Sequence, residues 1–221
     1  MARIDVRGDI IGNEDKWIYD YLEWDATCPN DIRRALNDKP DGERLTVSIN
    51  SGGGSVMAGQ EIYSLLHGRE DVEIEIQSLA GSAAAVVAMA NKNKISPVAV
   101  IMIHNASVSG ASGDYHDMQK NAEMLRQINS ALASAFARKT GKTEDEILKL
   151  MDRETWITAN QAIEMGFADE IMQENASYTN AVTGMRLTDD IRRRVLSEKE
   201  EAGKQEIRKK NILDDLDSFG V

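Results

Sequence analysis

Cysteine is almost missing from this chain of 221 residues: Cys28 is the only one. A single thiol forms no intramolecular disulfide, and such usage fits a reducing compartment. Cys28 precedes Pro29 in a polar stretch without a nearby histidine, so no nucleophilic role is expected of it. Histidine is scarce too, with only His67, His104 and His116. No His/Cys group has metal-ligand spacing, so neither a metal nor an organic cofactor is expected. Positive charge is short: 26 Lys and Arg face 37 Asp and Glu, a formal net charge of -11. Such a surface repels phosphate backbones and anionic lipid, so no nucleic-acid or membrane partner is expected. Long apolar runs are absent. The longest run of small apolar residues, Ala83 to Ala90, is far short of the roughly 20 residues of a membrane span. The first nine residues carry no apolar signal core, so a cytoplasmic protein is expected. There is no internal repeat.

What is present suffices for a folded domain, since 42% of the residues are hydrophobic. Leu45, Val47 and Ile49 alternate with polar residues, as do Val72, Ile74 and Ile76. That period of two predicts half-buried strands. Val98 to Ile103, after Pro97, reads as a strand buried on both faces. Between them, Val56 to His67 and the alanine-rich Ser82 to Ala90 read as helices. The alternation predicts an α/β fold with crossover connections and a largely parallel sheet. A long helix is expected over Tyr115 to Lys139, with Met118, Ala122, Leu125, Ile128, Leu132 and Phe136 as its apolar stripe. Thr143 with Glu146, and Thr158 with Gln161, are capping boxes for two shorter helices. After about Ile171 the composition turns polar and charged. Residues 174–221 are expected to be a partly helical or disordered extension to a domain over 1–173.

Three features carry chemistry. Gly52-Gly53-Gly54 follows a strand and permits close backbone approach, but lacks the Lys-Ser/Thr ending of a phosphate loop. Ser82 opens a helix, where free N–H groups favour developing negative charge, as acyl transfer requires. His104 lies at the carboxyl end of a buried strand, where sites gather in open α/β sheets, and imidazole titrates near neutrality.

Taken in order, Asn50-Ser51-Gly52-Gly53-Gly54 through Gly59, Ser82, Met102-Ile103-His104, and Thr158-Ala159 through Asp169 resemble the Clp peptidase family. The likeness spans about residues 3 to 173 and is nearest to the shorter Clp-like peptidases of bacteriophages and prophages, associated with head maturation. The resemblance implies the Clp/crotonase-like fold of repeated β-β-α/β-α-β units with a long oligomerisation helix. It implies a serine endopeptidase with Ser82 as nucleophile and His104 as base. Gly54 and Ala83 match the oxyanion hole, and the loop of Gly52 and Gly53 lies beside the bound peptide strand. The family's third member is usually Asp, two residues before an aromatic. Here that position is Glu154, in Asp152-Arg153-Glu154-Thr155-Trp156, and Asp152 is the alternative acid. A homo-oligomer, a ring by family likeness, is implied, with a peptide or protein substrate. A separate AAA+ ATPase or phage capsid and scaffold proteins are the further partners implied. Two rival readings remain open: an inactive assembly or scaffold protein of the same fold, and a crotonase-type acyl-CoA enzyme.

Overall fold

The computed structural model describes residues 2–173. The expected charged extension over 174–221 lies outside the described residues. Eight strands form one sheet: β1 (Ala2–Ile10), β2 (Ala26–Thr27), β3 (Leu45–Gly54), β4 (Val72–Gly81), β5 (Asn93–Ile95), β6 (Val100–Ile103), β7 (Thr155–Thr158) and β8 (Glu170–Ile171). The helices are α1 (Lys16–Tyr21), α2 (Pro29–Asp38), α3 (Val56–Leu66), α4 (Ala83–Ala88), α5 (Tyr115–Thr140), α6 (Glu144–Asp152) and α7 (Ala159–Met165). The main order is β2-β1-β3-β4-β5-β8. All pairs are parallel except β6 with β7. This is the mixed α/β architecture with a largely parallel sheet that the alternation of elements predicts, and it is consistent with the Clp-like fold that the resemblance implies.

The strand β4 divides its partners. Ile74 to Ile76 pair with β5, whereas Leu79 to Gly81 pair with β6. The fork brings the end of β6 beside the end of β4, which is the arrangement that matters for the site. One face of β3 and β4 is aliphatic: Leu45, Val47, Ile49, Ile74 and Ile76 are fully buried. They pack with Ile62 and Leu66 of α3 and with α4, all six of whose residues are buried. Small residues in α4 let it lie close over the sheet. The opposite face carries charge, with Arg3 bonded to Asp5, Ser48 and Glu75.

Several expectations are revised. The glycine run is the end of β3 rather than a turn after it, because Asp9 and Ile10 of β1 continue the ladder to Gly53 and Gly54. The segment from Val98 is not doubly buried: Val98 is exposed, and in β6 only Ile101 and Ile103, which share one face, are buried. Cys28, although in a polar stretch of sequence, is buried at the start of α2. In α5 only the C-terminal half is buried, through Leu132, Ala133, Ala135 and Phe136. Met118 is exposed, in the N-terminal half of the helix, which holds no buried residue. Both expected capping boxes are present.

Candidate active site

Ser82 and His104 stand at the carboxyl ends of the neighbouring strands β4 and β6. Gly81 pairs with Met102, and the Ser82 N–H extends the ladder by donating to Met102 O at 2.8 Å. The side chains then meet, with Ser82 Oγ 2.8 Å from His104 Nε2. Ser82 has φ 52° and ψ -120°, a conformation that costs an L-residue about 1–3 kcal/mol. A strained turn between strand and helix is how a nucleophilic oxygen is thrust out above a sheet. Directly after it, the N–H groups of Ala83 and Ala84 occupy the first positions of α4 and have no intrahelical acceptor.

The glycine strand closes over this pair. Gly53 has φ +103°, and a methyl group there would lie 2.7 Å from Ser82 Cβ and 2.9 Å from Ala83 N. Its N–H is already engaged by Ser51 Oγ at 3.1 Å, and Ser51 itself donates to Gly8 O at 2.6 Å. A methyl at Gly54 would meet Ile10 O at 2.3 Å, whereas nothing lies within 4 Å of one at Gly52. The structure thus gathers Gly53, Ser82, Ala83 and His104, seats Gly54 against β1, and leaves the space over Gly52 open.

The carboxylates are arranged differently. The β6/β7 register ends with Ile103 paired to Thr155, so His104 and Glu154 are the next residues beyond the paired ends. The Glu154 side chain nevertheless accepts from Trp156 Nε1 at 3.3 Å, and its φ is 50°. Asp152, the last residue of α6, accepts from Asn105 Nδ2 at 2.8 Å. Among the described residues, no carboxylate is hydrogen-bonded to His104. A base that accepts the Ser82 proton at Nε2 carries its own hydrogen on Nδ1, so an acceptor there is required to orient it.

Beside Ser82 and His104 is a narrow cavity of about 10 Å³, walled by Val56, Val86, Ala106, Leu132 and Phe136. That is about one water-sized sphere. The segment after His104 is tied to α5, with Ala106 N donating to Asn129 Oδ1 at 2.8 Å. Ser51 and Asn129 are positioning residues that sequence reasoning passed over. Ser51 lies within the quoted Asn-Ser-x-Gly-Gly run and was detectable there, while Asn129 has no local signal. No three of His, Cys, Asp and Glu among the described residues are grouped to hold a metal ion. No helix among them is long and apolar enough to cross a membrane.

The chain is similar to known proteins. The Clp protease family model matches residues 32–175, and the chain belongs to that family. Proteolytic subunit 2 of the ATP-dependent Clp protease of Tropheryma whipplei is 32% identical over 143 residues, 63% of this chain and 79% of that protein. Proteolytic subunit 1 of Corynebacterium glutamicum is 31% identical over 166 residues, 72% of this chain and 79% of that protein. The Bacteroides fragilis subunit is 31% identical over 141 residues, covering 62% and 68% respectively. These relatives are bacterial Clp subunits; none of the three bears a phage description.

Proposed function

We propose that the chain is a serine endopeptidase that cleaves peptide bonds through Ser82, His104 and an acid at Glu154. The observation that carries this reading is the 2.8 Å contact between Ser82 Oγ and His104 Nε2 beside the glycine-rich end of β3. His104 takes the Ser82 proton as Oγ attacks the substrate carbonyl carbon. The oxyanion is held by the N–H groups of Gly54 and Ala83. The same proton then passes from His104 to the leaving amine, and water hydrolyses the acyl-enzyme. The substrate strand runs along Gly52 and Gly53 as an added strand. Its side chain before the scissile bond enters the cavity against Leu132 and Phe136, whose size favours a methyl-sized group.

Glu154 serves as the acid once its side chain turns from Trp156 to His104, which the β6/β7 register supports. Asp152 is the alternative, one helix end away. Assembly into a homo-oligomer, a ring by family likeness, is supported by the exposed Tyr115, Met118 and Met124 of α5. Unfolded substrates are delivered by a separate AAA+ ATPase, as the relatives' "ATP-dependent" descriptions suggest. Processing of phage head proteins is the cellular role we attach to the motif resemblance alone. A second reading, an assembly protein without activity, is favoured by one feature: among the described residues, the carboxylate of Glu154 is bonded to Trp156 rather than to His104. A crotonase-type acyl-CoA mechanism has no use for the Ser82–His104 pair. The test is hydrolysis of a fluorogenic peptide by wild type, Ser82→Ala and His104→Ala. Turnover abolished in both variants supports the peptidase; turnover unchanged in either rejects this assignment.

A further inference from the structure

All three tryptophans of this chain are more than half exposed: Trp17 at 69%, Trp24 at 60% and Trp156 at 54%. Two of them, with Tyr21 at 78%, stand on α1 and the turn that follows it. Trp and Tyr are the residues most enriched at binding hot spots, and water is their least favourable surrounding. This segment is a built surface, not a loose loop. Asp9 N donates to Asp25 O and Ile11 N to Thr27 O, at 3.2 and 3.0 Å. Gly8, at φ +63°, admits the Asp25 backbone, where a methyl group would lie 1.7 Å from Asp25 O. Tyr19 donates to Asp9 at 3.0 Å and packs edge-on to Trp24, with ring centroids 5.9 Å apart.

The surroundings are acidic. Residues 9–25 contain Asp9, Glu14, Asp15, Asp20, Glu23 and Asp25 against one cation, Lys16. Lys16 is itself paired with Asp20. Next to α1 lies an open depression of about 520 Å³, lined by Asp5, Asp20, Asp31 and Asp38 and by two cations, Lys16 and Arg34, which are already paired with Asp20 and Asp31. Aromatic faces beside carboxylates are the chemistry that receives ammonium and guanidinium groups. A second copy offering this same face would bring two acidic rims together, which opposes a symmetric self-contact. The position also bears on the site: β2 pairs with β1 at Asp9 and Ile10, and Ile10 pairs with Gly54 of the cleft.

We propose that the α1 segment is an exosite that captures Lys/Arg-rich segments of protein substrates, through Trp17, Tyr21 and Trp24 together with the acidic depression. What the captured segment is used for rests on the peptidase reading above; the binding itself does not. The test uses the full chain carrying Ser82→Ala and two fluorescein-labelled peptides, one of Arg and Leu, the other of Glu and Leu. Fluorescence anisotropy is expected to show binding of the cationic peptide alone, weakened by added salt. Trp17→Ala with Tyr21→Ala is expected to weaken it about tenfold, the loss of two exposed cation–π contacts. Trp156→Ala is expected to leave it unchanged. Equal binding of both peptides, or full binding by the double variant, overturns the proposal. A change in sedimentation of the double variant also overturns it, because the face is then a subunit interface. In wild type, the Arg/Leu segment fused to a cleavable reporter is expected to lower KM without changing kcat. Binding with no cleavage of any reporter leaves the exosite standing as a capture surface and removes the peptidase reading. Cleavage without selective binding does the reverse.

Discussion

Replacing Gly53 by alanine tests the geometry of the cleft more sharply than replacing the nucleophile. The new methyl would lie 2.7 Å from both Gly81 O and Ser82 Cβ, and 2.9 Å from Ala83 N. Two of those three neighbours are backbone, and the third is the Cβ of the nucleophile, so no flexible side chain can yield. The φ of +103° adds a backbone cost of about 1–2 kcal/mol for any L-residue. Overpacking adds about 1–3 kcal/mol. A total near 3 kcal/mol corresponds to a Tm lowered by about 6–12 °C for a domain of this size. If the fold relaxes instead, Ser82 and the Ala83 N–H move together. A displacement approaching 1 Å costs about 100-fold in rate. Gly52 is the control: nothing lies within 4 Å of a methyl there, so Gly52→Ala is expected to shift Tm by no more than about 2 °C. Peptide hydrolysis and a melting curve on the two variants decide the matter. Wild-type turnover in Gly53→Ala, or equal damage from Gly52→Ala, would refute the reasoning.

Further expectations concern single groups. Glu154→Gln should lower kcat about 10²–10⁴-fold, by analogy with other triads, while Asp152→Asn should change it less than about threefold; the reverse order in a steady-state assay gives the role to Asp152. Leu132→Ala should enlarge the cavity and shift preference from alanine towards leucine before the scissile bond, read with a peptide series; an unchanged preference detaches the cavity from specificity. Burial pushes the Cys28 thiol up from its usual range, so it should react with a disulfide reagent at pH 8 far more slowly in the native chain than in guanidinium. Hydrogen bonds from Arg69 and Lys39 hold the Asp71 carboxyl well below the usual carboxylate range. A depressed carboxylate stabilises the fold above its unfolded value near 4 and loses that contribution as pH falls through the folded value. Asp71→Asn should therefore melt lower than wild type at pH 7, by under about 1 kcal/mol for a part-exposed pair, and the gap should close on acidification.

The sequence announced Ser82 and His104 because each sits where one element gives way to another, a change that periodicity reveals. The Asn50 to Gly54 run likewise told of a tight approach. What it withheld follows from distance along the chain. Whether Glu154 or Asp152 reaches the imidazole depends on a β6/β7 register and on local competitors, Trp156 and Asn105, which no local pattern contains. The fork in β4, which sets Ser82 beside His104, joins residues some twenty positions apart. The strand β1 was missed, although Ile4 and Val6 alternate with Arg3, Asp5 and Arg7, because those charged residues obscured the pattern. The stripe along α5 was right as a pattern but only its second half is buried, because periodicity reports what can be covered and not what covers it.

The central claim is that Ser82 is a nucleophile activated by His104. Labelling with a serine-directed fluorophosphonate probe tests it most directly, because it needs neither the natural substrate nor a partner. The account predicts strong labelling of the wild-type chain at Ser82, abolished in Ser82→Ala and in His104→Ala, with Glu154→Gln slowed. No labelling of the folded, assembled wild-type chain, or labelling that persists in Ser82→Ala, would contradict it.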